Sequence, residues 1–297
     1  MKSLKELIQK NSICVLGIPL DKNSSFLKGA SLAPEQIRKS YFSYSSNLWS
    51  EKGCDLESIE HLYNYGDLDF KADEDEFHTI TKSVEKVLNQ GCYMICLGGD
   101  HSVTFPVIKA HKKKYDNLNI LHFDAHPDLY DSFQGNVYSH ASPFARIMEK
   151  KLAKRVVQTG IRTMNGHQRE QVEKFGIEVH EMKDFQSWPS SFKFNGPVYL
   201  SLDLDCLDPA FAPGVSHHEP GGMTIRQIID IIHHFEGKLI GADIVEYNPD
   251  MDINSMTSMV AAKFLKEIIA RIYEDTNQCS QDRLLHNPNF PNFGVEK

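Results

Sequence analysis

Short apolar runs of strand length alternate along this chain with longer amphipathic stretches. The apolar runs lie at Ile13–Ile18, Cys92–Leu97, Leu118–Phe123, Arg155–Gly160, Val198–Leu202 and Leu239–Val245. Helical periodicity predicts helices at Pro34–Tyr41, Phe77–Asn89, Val103–Lys113, Ser142–Lys150, Gly166–Phe175, Thr224–Phe235 and Ser255–Tyr273. This alternation is typical of a parallel sheet covered by helices on both faces, because such strands are buried on both sides. We therefore predict an α/β fold: a single three-layer αβα domain over residues 1–297 with a central, mostly parallel sheet.

The C-terminal residues predict an extended tail, and the N-terminal residues and cysteines indicate the cellular compartment. Gln278–Lys297 follows neither periodicity, and we predict an extended C-terminal tail there. No apolar stretch approaches the roughly 18 residues of a membrane helix, and the charged start lacks the apolar core of a signal peptide. The six cysteines form no CxxC pair, which disfavours a zinc ribbon and fits the reducing cytosol. We therefore expect a cytoplasmic protein with no membrane partner.

Composition and charge narrow the class of partner. Apolar residues make up 41% of the chain and charged residues 24%, which is typical of a globular protein and excludes a disordered or fibrous one. Lys and Arg number 32 against 40 for Asp and Glu, a formal charge of -8. A nucleic-acid partner is therefore not expected, whereas a small cationic substrate is compatible with the acidic balance.

Polar residues gather where four of the apolar runs end. Asp100 and His101 follow the second run, Asp124, His126 and Asp128 the third, and Asp203, Asp205 and Asp208 the fifth. Asp243 and Glu246 lie at the end of the sixth run. Ligands of open parallel sheets bind outside the carboxyl ends of the strands. We therefore expect these side chains to meet in one cleft.

The donor types in these clusters predict a metal centre. Crowded carboxylates repel one another, and bound cations relieve that repulsion. The DxHxD spacing of Asp124, His126 and Asp128 directs alternate side chains the same way, and Asp203 and Asp205 repeat it. Four carboxylates and two imidazoles are too many for one zinc ion, suit two divalent ions about 3.5–4 Å apart, and favour manganese. One such aspartate alone is more often a cap or loop residue, so the prediction depends on all four strand ends together.

These motifs together resemble the ureohydrolase family, which contains arginases, agmatinases, guanidinobutyrases and formimidoylglutamases. The matching stretches are GGDHS, DAHPD, SLDLDCLDPAFAPG and GADIVEYNPD, within a similarity from about residue 16 to about residue 272. The resemblance implies a parallel sheet of about eight strands, two Mn²⁺ per chain and hydrolysis of a guanidinium group to urea and an amine. It also implies a small cationic guanidino substrate and a homotrimer or homohexamer.

The resemblance assigns roles to residues through the matching motifs. It implies that His101, Asp124, Asp128 and Asp203 bind one ion, and that Asp124, His126, Asp203 and Asp205 bind the other. It places Glu246 on the substrate guanidinium and His140, in YSHASPF, as a proton shuttle near the leaving amine. We expect Asp100, Asp208 and Asp243 to orient ligands and loops, and His122 to be a buried core histidine.

The loop after Asp128 is expected to choose the substrate. Arginases carry an Asn there, where this chain has Tyr130, and the DAHPDLYD stretch resembles agmatinases more than arginases. We therefore predict agmatine as the substrate, with Tyr130 and Asp131 as substrate contacts and Asp131 attracting a primary ammonium. Guanidinobutyrase, arginase and formimidoylglutamase activities stay open, the first especially if His217, His218 or Lys28 reaches the pocket. We expect the VSHHEPGG loop to make local hydrogen bonds instead. A catalytically silent relative is a further alternative, but such a protein is expected to have lost ligands that are all present here.

Overall fold

The structure is a computed structural model that describes residues 1–3 and 8–276. The predicted tail at 278–297 lies outside the described residues. Within those two ranges, no helix combines the length and the apolar character needed to cross a bilayer.

Strands and helices alternate along the described chain. The strands are β1 (Lys2–Ser3), β2 (Ile13–Gly17), β3 (Leu62–Asp67), β4 (Tyr93–Leu97), β5 (Asn119–Phe123), β6 (Arg155–Ile161), β7 (Glu178–Glu181), β8 (Lys193–Asp203) and β9 (Glu236–Val245). The α-helices are α1 (Ala33–Tyr41), α2 (Glu76–Leu88), α3 (Thr104–Lys114), α4 (Pro143–Glu149), α5 (Gly166–Phe175), α6 (Ile225–His234) and α7 (Met256–Asp275).

All the strands form one sheet in the order β1-β3-β2-β4-β9-β8-β5-β6-β7. Every strand pairing is parallel. Eight strands have four or more residues, and β1 adds a two-residue edge. Helices α2, α3 and α4 pack side by side, while α1 and α6 pack against α7. The predicted α/β fold and parallel sheet are thus confirmed.

The periodicity predicted all seven α-helices and six of the strands to within a few residues at most ends. It missed β3 and β7, and β1 has only two residues. Strand β7 lies at the sheet edge, where its four residues are only half-buried. An edge strand needs no continuous apolar run, so the pattern did not reveal it.

Local signals explain where several helices begin and end. Asn165 starts α5 with a capping box that pairs it with Gln168, and Thr224 starts α6 with one that pairs it with Gln227. Such reciprocal bonds satisfy amide groups that have no partner inside the helix. Helix α5 ends at Gly176, whose φ of 63° is left-handed, a conformation that glycine adopts at little cost.

Candidate active site at the carboxyl edge of the sheet

Four adjacent strands carry the predicted site. Strands β4, β9, β8 and β5 are neighbours in the sheet, and they run parallel. At or just beyond their carboxyl ends lie His101, Glu246, Asp203 with Asp205, and Asp124 with Asp128, respectively. The sheet order therefore brings the four sequence clusters to one edge of the sheet.

Two of these residues have an unusual backbone conformation. Asp128 has a φ of 51° and Glu246 a φ of 62°, in the left-handed region that non-glycine residues rarely adopt. The Glu246 amide donates to the Gly99 carbonyl at 2.8 Å. A Cβ atom at Gly99 would lie 2.0 Å from the Leu20 carbonyl oxygen, so only glycine fits there. Such strain persists when surrounding contacts hold it and is common at functional sites.

The first cluster surrounds the His101 imidazole. Its Nδ1 atom lies 3.2 Å from Asp124 Oδ2, 3.0 Å from Asp128 Oδ2 and 3.1 Å from Asp203 Oδ2. All four side chains are buried. Nδ1 nevertheless makes no hydrogen bond with any residue that the structure describes.

The second nitrogen of the His101 ring, Nε2, has a hydrogen-bond partner of its own. Ser201 Oγ donates to Asp243 Oδ1 at 2.7 Å and lies 3.0 Å from His101 Nε2. Because the Ser201 hydroxyl donates its single hydrogen to Asp243, it can only accept from His101 Nε2–H. In the neutral ring, the Nδ1 lone pair therefore faces three carboxylate oxygens. Burial lowers the pKa of His101, but these three carboxylates outweigh burial and raise it well above its usual range.

The second cluster shares Asp124 with the first. His126 Nδ1 lies 3.1 Å from Asp205 Oδ2 and 3.4 Å from Asp124 Oδ1. The ligand atoms of Asp124, His126 and Asp205 all lie within 4.8 Å of one another. Asp203 contacts both clusters, because its Oδ2 lies 3.1 Å from His101 Nδ1 and its Oδ1 accepts from the Asp205 amide at 2.8 Å. The structure thus brings together all six predicted ligands.

This donor set fits divalent cations. Three buried carboxylates around one point repel one another unless a positive charge, either a proton on His101 or a metal ion, lies among them. Burial and the charge of Asp124 raise the pKa of Asp128 to about 7. Burial and the charges of Asp205 and Asp124 raise the pKa of Asp203 well above its usual range. The clusters can therefore hold metal ions, whose charge would relieve this repulsion.

Beside the clusters, Glu246 and His140 form a buried pair. His140 Nδ1 lies 2.9 Å from Glu246 Oε1, which also accepts from the His101 amide at 2.8 Å. Burial lowers the pKa of His140, but the nearby charge of Glu246 outweighs burial and raises it to about 9. Burial likewise raises the pKa of Glu246, but the charge of His140 and the hydrogen bonds lower it overall. The pair is therefore an imidazolium and a carboxylate near neutral pH.

The second oxygen of the Glu246 carboxylate has no hydrogen-bond partner among the described residues. This atom, Oε2, is buried. On the far side of the pair, His140 Nε2 lies 2.8 Å from Ser25 Oγ. Ser25 is a site residue that the motifs did not reveal, because it comes from a loop distant in sequence.

A cavity of about 170 Å³ opens over the clusters and this pair. The residues that line it include Ser25, His126, Asp128, Tyr130, Phe133, His140, Thr163, Asn165, Gln168, Asp203, Asp205, His217 and Glu246. Three of the neutral polar groups at its wall are linked, because Asn165 Nδ2 donates to Tyr130 Oη at 2.8 Å and its backbone N–H contacts Gln168 Oε1 at 3.4 Å. The predicted position of Tyr130 at the cavity is therefore seen in the structure.

Asp131 is not among the lining residues. Its carboxylate accepts from Gln171 Nε2 and lies 3.7 Å from His167 Nε2 and 3.9 Å from Lys174 Nζ. Half of this side chain is exposed. The geometry therefore does not support Asp131 as a substrate contact: helix α5 supplies the partners that turn it away from the cavity.

The two histidines of the VSHHEPGG loop differ in direction. His218 Nε2 donates to the Pro213 carbonyl at 2.7 Å, as expected of a local loop contact. His217 instead lines the cavity, with its ring centroid 5.2 Å from that of His140 and 5.9 Å from that of His126. The expectation of local hydrogen bonds thus holds for His218 and not for His217. Lys28 donates to the Asp21 carbonyl and does not line the cavity.

The remaining acidic residues hold the surrounding loops and ligands. Asp100 accepts from the amides of Asn23 and Ser102 at 2.9 and 3.0 Å. Asp208 accepts from the amides of Ala210, Gly221 and Gly222. Both therefore fix loops at the rim of the site.

His122 is fully buried, as predicted for a core histidine, but it also touches the site. Its Nε2 lies 2.9 Å from Asp124 Oδ2, and its ligand atoms fall within metal-binding reach of His101 and Asp124. Burial lowers the pKa of His122 to about 4. The sequence signal of the His122–Asp124 contact was the spacing of two residues at the end of β5, which directs both side chains to the same face.

Comparisons with known proteins agree with this geometry. The sequence profile of the arginase family matches residues 11–270. Arginase 1 of Arabidopsis thaliana, a mitochondrial protein, is 44% identical over 279 residues, which cover 89% of this chain and 82% of that protein. The solved arginase of Medicago truncatula superposes with a TM-score of 0.83 at 42% identity, covering 88% of this chain and 87% of that one. An agmatinase of Bacillus anthracis is 31% identical over 88% of this chain and 92% of its own length.

Proposed function

Because the chain belongs to the arginase family, a family of metal-dependent amidinohydrolases, we propose that it is a dimanganese enzyme that hydrolyses arginine to urea and ornithine. The observation that carries the proposal is the unpartnered, buried Oε2 of Glu246 beside the two carboxylate clusters. A buried carboxylate oxygen without a partner is costly. A guanidinium group would supply both the positive charge and the N–H donors that this oxygen lacks.

We assign one ion to His101, Asp124, Asp128 and Asp203, and the other to Asp124, His126, Asp203 and Asp205. The support is the convergence of their donor atoms and the buried His101 Nδ1, which makes no hydrogen bond with a described residue. When bound, a pair of divalent ions supplies an activated water nucleophile and a clamp for the developing charge.

Glu246 orients the planar guanidinium so that its carbon faces the metal centre. Its Oε1 is held by the His101 amide and by His140, so the carboxylate is fixed before substrate arrives, and preorganisation of this kind favours catalysis. His140 carries a proton at neutral pH and lies at the cavity wall. It is therefore placed to give a proton to the departing amine and to recover one from solvent.

The far end of the cavity supports an amino-acid substrate. Tyr130 uses its oxygen to accept from Asn165 and keeps its O–H free to donate. The Thr163 hydroxyl and the Gln168 amide nitrogen donate to no described residue and also line the wall. Neutral donors suit the carboxylate of arginine, whereas the described wall outside the metal clusters offers no carboxylate except Glu246 to pair with an ammonium.

Agmatine is the second candidate. The motif argument for agmatine has three parts: the Tyr130 position, the charge of Asp131, and the resemblance of the DAHPDLYD stretch to agmatinases. Tyr130 does lie at the cavity, at the position where arginases carry an Asn. The Asp131 carboxylate, however, is engaged by α5. The similarity to plant arginases, higher than to the bacterial agmatinase, supports arginine. A homotrimer or homohexamer and a cytoplasmic location remain predictions.

A substrate panel tests the proposal. Urea release is measured from arginine, agmatine and 4-guanidinobutyrate at equal concentration with manganese-loaded protein. We expect arginine to have the highest kcat/KM, since each unmatched polar end costs roughly tenfold or more. Faster turnover of agmatine would overturn the substrate assignment, and no urea from any of the three would overturn the reaction.

Metal content tests the ligand assignment. Asp203→Ala should weaken binding of both ions because we assign Asp203 to both, whereas His101→Ala should empty mainly one site. Manganese is measured by elemental analysis after gel filtration. Two ions per chain in purified Asp203→Ala would contradict the shared role.

A further inference from the structure

A buried chain of hydrogen bonds runs from β6 through β5 to the metal clusters. Gln158 on β6 and His122 on β5 are direct partners in the parallel register. Gln158 Nε2 lies 3.1 Å from His122 Nδ1, and His122 Nε2 lies 2.9 Å from Asp124 Oδ2. All three side chains have zero exposed surface. Side chains this deeply buried have no water with which to exchange these bonds.

The direction of every bond in this chain follows from the Pro127 carbonyl. Gln158 Nε2 donates to that oxygen at 2.8 Å, and a carbonyl can only accept. The amide nitrogen of Gln158 therefore faces both Pro127 and His122 Nδ1, and it donates to each. Because Nδ1 accepts, it carries no proton. The proton of neutral His122 is on Nε2, which donates to Asp124.

Other contacts fix the position of the ring and of the carboxylate. The His122 ring stacks on Phe144 with centroids 3.9 Å apart and planes at 26°. Asp124 Oδ1 accepts from the His126 amide at 2.6 Å. Each oxygen of Asp124 thus receives one hydrogen bond from a fixed donor, and a carboxylate oxygen has a second lone pair that stays available.

From this arrangement we infer that His122, held by Gln158, is a positioning residue that orients Asp124 for both metal ions. The inference deepens the proposed function, because it rests on Asp124 being shared between the ions. His122 is not itself a ligand in this arrangement, since Nδ1 is occupied by Gln158 and Nε2 carries the proton. Second partners that orient metal-binding side chains typically contribute about 10–100-fold to metal affinity.

The test compares manganese affinity among variants of the whole chain. His122→Phe keeps an aromatic ring against Phe144 but removes the donor, and His122→Gln restores a donor. We expect His122→Phe to weaken both manganese sites by about 10–100-fold in titration calorimetry of metal-free protein. We expect His122→Gln to recover part of that loss, and Gln158→Met to show a smaller loss in the same direction.

His111→Phe is the matched control. His111 is also a fully buried histidine, its ring lies 4.7 Å from that of Tyr199, and its Nδ1 bonds to the Val107 carbonyl. We expect this variant to change the melting temperature but leave both manganese affinities within about twofold of the wild type, since no described metal ligand contacts its ring. Circular dichroism of each metal-free variant separates misfolding from lost positioning.

A second readout needs no metal. Long-range ¹⁵N spectra of the imidazoles, with His122 assigned by its absence in His122→Phe, should show Nδ1 unprotonated and Nε2 protonated in metal-free wild type. A proton on Nδ1 would overturn the inference, as would unchanged manganese affinity in His122→Phe. Complete loss of one manganese with the other intact would make His122 a ligand and also overturn it. Failure of wild type to release urea counts against the proposed function alone, because affinity and tautomer are measured without turnover.

Discussion

Replacing Glu246 by glutamine exchanges one carboxylate oxygen for an amide nitrogen in the residue that we assign to the substrate guanidinium. The amide oxygen can keep the place of Oε1, which accepts from the His101 amide at 2.8 Å and from His140 Nδ1 at 2.9 Å. The amide nitrogen then takes the place of Oε2, the buried oxygen without a partner. The variant therefore preserves shape and most local bonds while it removes a charge and turns an acceptor into a donor.

The expected loss follows from that exchange. Removing one partner of a buried, hydrogen-bonded charge pair costs about 3–5 kcal/mol. Glutamine adds a second penalty, because its N–H groups would face those of the guanidinium. Since about 1.4 kcal/mol corresponds to a tenfold change in rate, kcat/KM for arginine should fall by roughly two to four orders of magnitude.

The assay measures urea release and manganese content on the same preparation. Glu246 is assigned to neither ion, so Glu246→Gln should retain two manganese ions per chain. Glu236→Gln is the matched control, because Glu236 begins the same strand at its opposite end, where it is exposed and paired with Lys193. Exposed pairs contribute little, so this variant should stay within about twofold of the wild type.

Two results would refute the reasoning. If Glu246→Gln kept more than about a tenth of the wild-type kcat/KM, its carboxylate would not hold the guanidinium. If the variant lost manganese in proportion to its activity, Glu246 would act through the metal centre instead.

Three further predictions concern neighbours of the site. The pKa of His140 is about 9 in the folded protein against 6.5 ordinarily, so its contribution to stability is complete below pH 6.5 and is lost as pH rises through 9. In urea titrations, the free energy of unfolding of metal-free wild type should exceed that of His140→Gln by at most about 3 kcal/mol at pH 6.5, and this difference should shrink as pH rises to 9. A difference that stays constant with pH would contradict the His140–Glu246 ion pair. His217→Asn should raise KM for arginine by about tenfold through loss of one cavity contact. His218→Asn, whose wild-type side chain bonds to Pro213, should change KM by less than about twofold, and equal effects of the two variants would contradict a substrate contact that belongs to His217 alone. Asp131→Asn should alter the ratio of arginine to agmatine turnover by less than about twofold, because its half-exposed carboxylate faces α5, and a larger change in competition assays would return Asp131 to the substrate site.

Hydrophobic periodicity determined the layers of this protein. Cys92–Leu97 is apolar at every position and Leu118–Phe123 at four of six, because the strands are buried on both faces. The same pattern located the strand ends, and the acidic residues that follow them could therefore be assigned to one edge of the sheet. Spacing within a cluster was also readable, because Asp124, His126 and Asp128 lie within five consecutive residues.

Only the tertiary structure decided which side chains face one another. The order β4-β9-β8-β5 brings His101 to Asp203 and Asp124, and the pairing of β5 with β6 places Gln158 beside His122. Sequence periodicity reports the burial of each strand but not the identity of its neighbour. The family motifs implied that His101 meets Asp203 and Asp124, whereas the contact of Gln158 with His122 had no sequence signal.

Side-chain direction in the loops was equally hidden. Asp131 turns to Gln171 on α5, and His217 turns into the cavity while its neighbour His218 turns away. In a regular strand or helix the period sets the direction of each side chain, but a loop residue has no such period. Its direction depends on partners that the fold brings from elsewhere in the chain, and the substrate-binding end of this site is built from such loops.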